Sequence, residues 1–93
     1  MILEAAYLNV PPGADAAFIT AMKQARPLIA GSPGFGGIEV RPCMEQSGRY
    51  LLLVWWGKLE DHTEGFRGSD RYQKWKGIIY MSTVDISPVL SYY

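Results

Sequence analysis

Residues 49–56 read Arg-Tyr-Leu-Leu-Leu-Val-Trp-Trp, and the fold follows from how that stretch is read. A short run of aromatic and branched apolar side chains is a strand. At a period of two, Leu51, Leu53 and Trp55 fall on one face, and Tyr50, Leu52, Val54 and Trp56 on the other. A strand with one wet face alternates apolar with polar, whereas this one is apolar on both. Residues 2–10 (ILEAAYLNV) read the same way, with Leu3, Ala5 and Tyr7 against Ile2, Ala6, Leu8 and Val10. A sheet built from these strands needs cover on both sides.

Working outward, residues 35–43 (FGGIEVRPC) form another strand, joined to 49–56 as a hairpin through the turn signal at Glu45–Gly48. Pro42 near its end argues for an edge or a bulge. Pro11-Pro12-Gly13 ends the first strand. Residues 15–30 read as a helix with Phe18, Met22, Ala25 and Ile29 on one face. Asp15 is its expected N-cap, and Pro27 predicts a kink or an early end. Gly31-Ser32-Pro33-Gly34 stops it.

Beyond the hairpin, residues 58–67 suggest a short helix with Leu59, His62 and Phe66 near one another, weakened by Gly65 and Gly68. Ser69 then caps a better helix, with Asp70 in its first turn and Tyr72, Trp75 and Ile79 on one face. A last strand at about 85–92 is interrupted by Pro88, which suits an edge. The order βαββαβ is one α+β domain with a ferredoxin-like, antiparallel four-stranded sheet. Two helices cover one face of such a sheet, and the chain has nothing left for the other. An apolar face of that size left in water is an aggregation liability, and a two-fold partner presenting the same face removes it. The expected assembly is a homodimer through the sheet face; a different partner protein is the less economical alternative.

Composition agrees. Ninety-three residues make one small domain with a thin core, yet 48% are hydrophobic and 13% aromatic. Nine basic and nine acidic residues give zero net charge without any Lys/Arg run, which argues against nucleic acid and against a polybasic membrane patch. The single cysteine, Cys43, cannot form an internal disulfide and has no activating neighbours. The opening Met1-Ile2-Leu3-Glu4 does not read as a signal peptide, and the apolar run Tyr50–Trp56 is too short for a bilayer, so a soluble cytoplasmic protein is expected.

A strand ending in Trp56, then Leu59-Glu60-Asp61-His62, Gly65-Phe66-Arg67-Gly68-Ser69, Tyr72 and Trp75 resembles the antibiotic biosynthesis monooxygenase superfamily of dimeric α/β barrels. The Pro33-Gly34-Phe35 turn and Pro88-Val89 near Tyr92-Tyr93 resemble it too, so the likeness runs over essentially the whole chain. The superfamily includes cofactor-free monooxygenases that oxidise polycyclic aromatics, haem-degrading enzymes, quinol oxygenases and dimers without known activity. The haem-degrading members share an Asn, a Trp and a haem-ligating His. The matching positions here are Ala6, Phe66 and Lys76, with Asn9 displaced toward a turn, so haem degradation is not expected. Many plain members carry a His three residues before the family Ser; here that place is Phe66, and the only histidine is His62.

The resemblance implies a cofactor-independent oxygenase acting on a small phenol- or hydroquinone-type aromatic. Such a reaction needs an apolar pocket, a base and oxyanion donors, but no metal or cofactor. His62 is the expected base, because it titrates near neutrality; its bland reading is a half-exposed residue near a helix N-terminus. Trp56, Phe66, Tyr72 and Trp75 are the expected pocket walls between sheet and helices, against the plainer reading of each as core. Arg67 reads as a solvated arginine beside a cap before it reads as an anion site, and Glu39 and Arg41 as the solvent face of an edge strand. Gly34, Gly36 and Gly37 lead into a strand and are no phosphate loop. No His/Cys/carboxylate set has metal-ligand spacing. The alternative is a non-catalytic ligand-binding or structural homodimer of the same fold.

Overall fold

The computed structural model describes residues 1–80 with Asp85–Ile86 and Leu90–Tyr92. Strand β1 spans Ile2–Asn9, helix α1 Asp15–Ala30, β2 Phe35–Pro42 and β3 Arg49–Trp56. A single π-helical turn, Asp61–Phe66, precedes α2, Asp70–Tyr80; the chain returns as β4, Asp85–Ile86, and β5, Leu90–Tyr92. The fold is the α+β ferredoxin-like one. The sheet order is β2-β3-β1-β4, every pairing being antiparallel, and β5 also pairs with β1.

β1 pairs with β3 along its whole length, from Ile2 opposite Trp56 to Asn9 opposite Arg49. Its other side takes the last strand in two pieces: Leu8 opposite Ile86, then Ala5 opposite Leu90. The register between them steps by one residue, a consequence expected where a proline interrupts a ladder; Pro88 itself lies outside the described residues. Among the described strands β2 lies at the edge, one of the two placements that Pro42 argued for, and its irregularity falls at the opposite end, between Phe35 and Gly37.

The helices cover one face only. Ala6, Leu8, Tyr50, Leu52, Val54 and Trp56 are buried on that face against Phe18, Met22, Ala25 and Ile29 of α1 and Trp75 and Ile79 of α2. On the other face Leu3, Ala5, Leu51, Leu53 and Trp55 remain partly exposed, and Tyr7 is 45% exposed. The guanidinium of Arg49 lies 4.1 Å from the Tyr7 ring centre at one end of this face, and Arg41 pairs with Glu39 at 3.2 Å on β2.

Three local expectations need correction. Asp15 does not cap α1: Ala14 holds the N-cap position without a side-chain bond, while the Asp15 carboxylate accepts the Tyr50 hydroxyl at 2.6 Å. The long-range partner outcompetes the helix's own amides. Pro27 does not end α1, which runs on to Ala30 and closes with the Gly31 amide donating to the Pro27 carbonyl at 3.2 Å. The apolar stripe continues to Ile29, and its burial outweighs the one lost hydrogen bond. Leu59 does not share the buried face of Phe66, since it is exposed while Phe66 is buried.

Candidate functional site

A charged residue sits where the apolar face of β1 should be unbroken. Glu4 is in phase with Ala6 and Leu8, beneath the helices, and only 7% exposed. Its carboxyl accepts the indole N–H of Trp56 at 2.8 Å. Burial pushes the Glu4 carboxyl pKa above its ordinary value, and the Trp56 hydrogen bond and the charge of Arg67 only partly offset this. A carboxyl held this way is a stronger proton acceptor than a surface glutamate. Arg67, expected as a merely solvated side chain, is also its electrostatic partner.

Trp56 opens onto an aromatic cluster with Phe66 at its hub. The Phe66 ring centre is 5.7 Å from Trp56, 5.5 Å from Tyr72 and 5.9 Å from Trp75, the last two edge-to-face. Tyr72 and Trp75 stack at 6.4 Å. The four aromatics expected as pocket walls therefore come together, packed on one another. Trp75 is 7% exposed, and its indole N–H has no acceptor among the described residues. A buried donor left unsatisfied costs about 1–3 kcal/mol, and a ligand atom placed against it would recover that cost.

Local chemistry holds Phe66 and α2 in place. The Ser69 hydroxyl donates to the Phe66 carbonyl at 2.6 Å and accepts the Tyr72 amide at 3.3 Å, so it caps α2 as expected. Asp61 anchors the front of the π turn, its carboxylate accepting the Lys58 amide at 3.2 Å. That carboxylate fills the space beside Gly34, where a Cβ would otherwise stand, and Gly34 has φ +80°. The Gly57 amide donates to the Gly34 carbonyl at 2.7 Å, tying the end of β3 to the turn before β2. His62 belongs to the π turn, between Asp61 and Phe66; its side chain lies outside those described. Single π turns recur at functional sites.

Two cavities bounded by described residues lie elsewhere, and neither touches the four aromatics. One, about 480 Å³, lies between α1 and the β2–β3 hairpin. The other, about 560 Å³, is an open groove between Gln24, Pro27 and Leu28 of α1 and Gln73, Lys74, Gly77 and Ile78 of α2.

Sequence reasoning missed Glu4. The signal was present: a carboxylate two residues before Ala6 on a face otherwise wholly apolar.

Among known proteins, residues 1–77 match the family model described as antibiotic biosynthesis monooxygenase. The uncharacterized protein YczJ of Bacillus subtilis (strain 168) is 48% identical over 80 residues, which span 86% of this chain and 84% of that protein. A Bordetella bronchiseptica structure named for the same family superimposes with a TM-score of 0.92 at 30% identity, over 99% of this chain and 94% of that one. SnoaB of Streptomyces nogalater, a cofactor-independent oxygenase, shares the fold with a TM-score of 0.84 at 13% identity, over 99% of this chain and 90% of its own. The chain belongs to the antibiotic biosynthesis monooxygenase family.

Proposed function

We propose that this protein is a cofactor-independent monooxygenase that oxidises a small phenol-, anthrone- or hydroquinone-type aromatic, working as a homodimer. The observation that carries the reading is Glu4, a buried carboxyl with raised proton affinity, hydrogen-bonded to Trp56 beside the cluster of Phe66, Tyr72 and Trp75. Glu4 takes the acidic proton of the substrate. The resulting anion transfers one electron to O2, and the radical pair joins as a peroxide. The peroxide takes up a proton and expels water. For an anthrone the balance closes: the CH2 carbon becomes a carbonyl, one oxygen atom enters the product, the other leaves as water, and no external reductant is consumed. The aromatic rings bind the flat substrate, and the Trp75 N–H donates to its developing oxyanion. His62, on the same segment as Phe66, is the second candidate base.

The homodimer reading is supported by the open apolar face of Leu3, Ala5, Tyr7, Leu51, Leu53 and Trp55, which a second copy would bury. Among the described residues no helix is long and apolar enough to cross a membrane.

A second reading, a non-catalytic ligand-binding or structural homodimer, is favoured by the close mutual packing of Phe66 with Trp56, Tyr72 and Trp75. Dissolved-oxygen consumption with a panel of anthrones and hydroquinones, in the presence of chelator, separates the two. The oxygenase reading predicts uptake above the spontaneous rate. Loss of it in Glu4→Gln with retention in His62→Ala assigns the base to Glu4, and the reverse assigns it to His62. No uptake with any of the panel would favour the binding dimer.

A further inference from the structure

The cavity of about 480 Å³ between α1 and the hairpin shares no residue with the Glu4 site, and its volume lies in the range of small-molecule pockets. Phe18, Met22, Val40 and Tyr50 give it an apolar floor, and Lys23 and Arg26 stand on its wall. The two cations are three positions apart on one helix, so they are surface neighbours with Cβ atoms about 5–6 Å apart. Neither has an anionic partner among the described residues. The cavity lining contains no acid.

Charge also gives the cavity a direction. Asp15 stands at the start of α1, its carboxylate bound to the Tyr50 hydroxyl at 2.6 Å. Lys23 lies eight residues further along α1, about 12 Å at the helical rise. An anionic head is therefore attracted to one end and repelled from the other, while its apolar body lies on the floor between.

We propose that this cavity binds a small amphiphilic carboxylate, with an aromatic or short aliphatic body against Phe18, Met22, Val40 and Tyr50 and its carboxylate between Lys23 and Arg26. The pocket is a second ligand site, separate from the aromatic cluster, and its occupancy does not depend on the oxygenase reading. A carboxylate shared by two cations gains charge-assisted hydrogen bonds that a neutral analogue lacks.

The test is a nitrogen–proton correlation titration of the full chain with 1-naphthoate, and with 1-naphthalenemethanol as the neutral analogue. The expected result is saturable binding of the acid, with shifts concentrated at residues 18–26, 40–42 and 50 and the indole signals of Trp56 and Trp75 unmoved. The alcohol should bind about tenfold or more weakly, and the Lys23→Gln/Arg26→Gln double variant should lose the acid's advantage by a similar factor. Both side chains are exposed, so the variant keeps the fold. Ile19→Trp, which extends a half-exposed lining residue across the cavity mouth, should abolish binding of both compounds. Shifts at Trp56 and Trp75 in place of the α1 residues, equal affinity for acid and alcohol, or unchanged binding by the double variant would each overturn the proposal. So would the absence of saturation up to roughly 10 mM, the range of the weakest specific small-molecule sites.

Discussion

Glu4 is the residue on which the proposed chemistry and a measurable stability effect both turn. Its carboxyl is buried and its pKa raised, chiefly by desolvation. The folded state therefore holds the proton to higher pH than the unfolded chain does. The stability this provides is complete below the ordinary carboxyl pKa of 4.5 and is lost as pH rises through the folded value. Glu4→Gln keeps an acceptor for the Trp56 indole and never ionises. Thermal unfolding followed from pH 4 to pH 9 should show the variant gaining on the wild type as pH rises; a constant difference across that range would contradict the account. The aromatic positions around Glu4 were legible in the sequence because large apolar side chains at strand and helix spacing must face the core. The place of Glu4 on that face was readable from the same spacing, but its partner was not, because the Trp56 indole lies 52 residues away and only the strand register brings the two together.

At the scale of elements, the strands and helices were readable where one periodicity ran unbroken. Residues 15–30 and 49–56 have the bounds their apolar spacing predicts. Where side chains choose between local and distant partners, the sequence was less informative: Asp15 binds Tyr50 in preference to its own helix, and the short helix expected over residues 58–67 is a π turn at 61–66. That turn depends on Gly34. Its positive φ disfavours any side chain, and the Asp61 carboxylate already occupies the place of a Cβ. Gly34→Ala should therefore destabilise by about 1–3 kcal/mol through backbone strain, and by more if Asp61 is displaced. Denaturant unfolding measures it, and a change within about 0.5 kcal/mol, as ordinary surface substitutions give, would contradict the role assigned to this contact.

At the scale of the whole molecule, the two-sided apolarity of β1 and β3 becomes a sheet with helices on one face and half-exposed side chains on the other. The sequence carried this because the surplus of apolar residues exceeds what two helices can cover. It did not carry the site, because one family fold supports several reactions and the deciding groups belong to individual residues. If the open face is the dimer interface, Leu53→Glu places a charge at its centre in both copies. Sedimentation should then show monomer, with dissociation increased by at least about 100-fold; an unchanged dimer would move the interface elsewhere.

In the proposed oxygenation Glu4 accepts the substrate proton and no cofactor takes part. The first measurement to make is the pH dependence of kcat/KM for oxygen uptake, wild type beside Glu4→Gln, with an anthrone in the presence of chelator. A base works only when deprotonated, so wild-type uptake should rise with pH through the raised Glu4 pKa. The variant should lack that rise and run about 100-fold or more slower, the usual contribution of a positioned base. A variant that consumes oxygen at the wild-type rate with the same pH profile would contradict the claim.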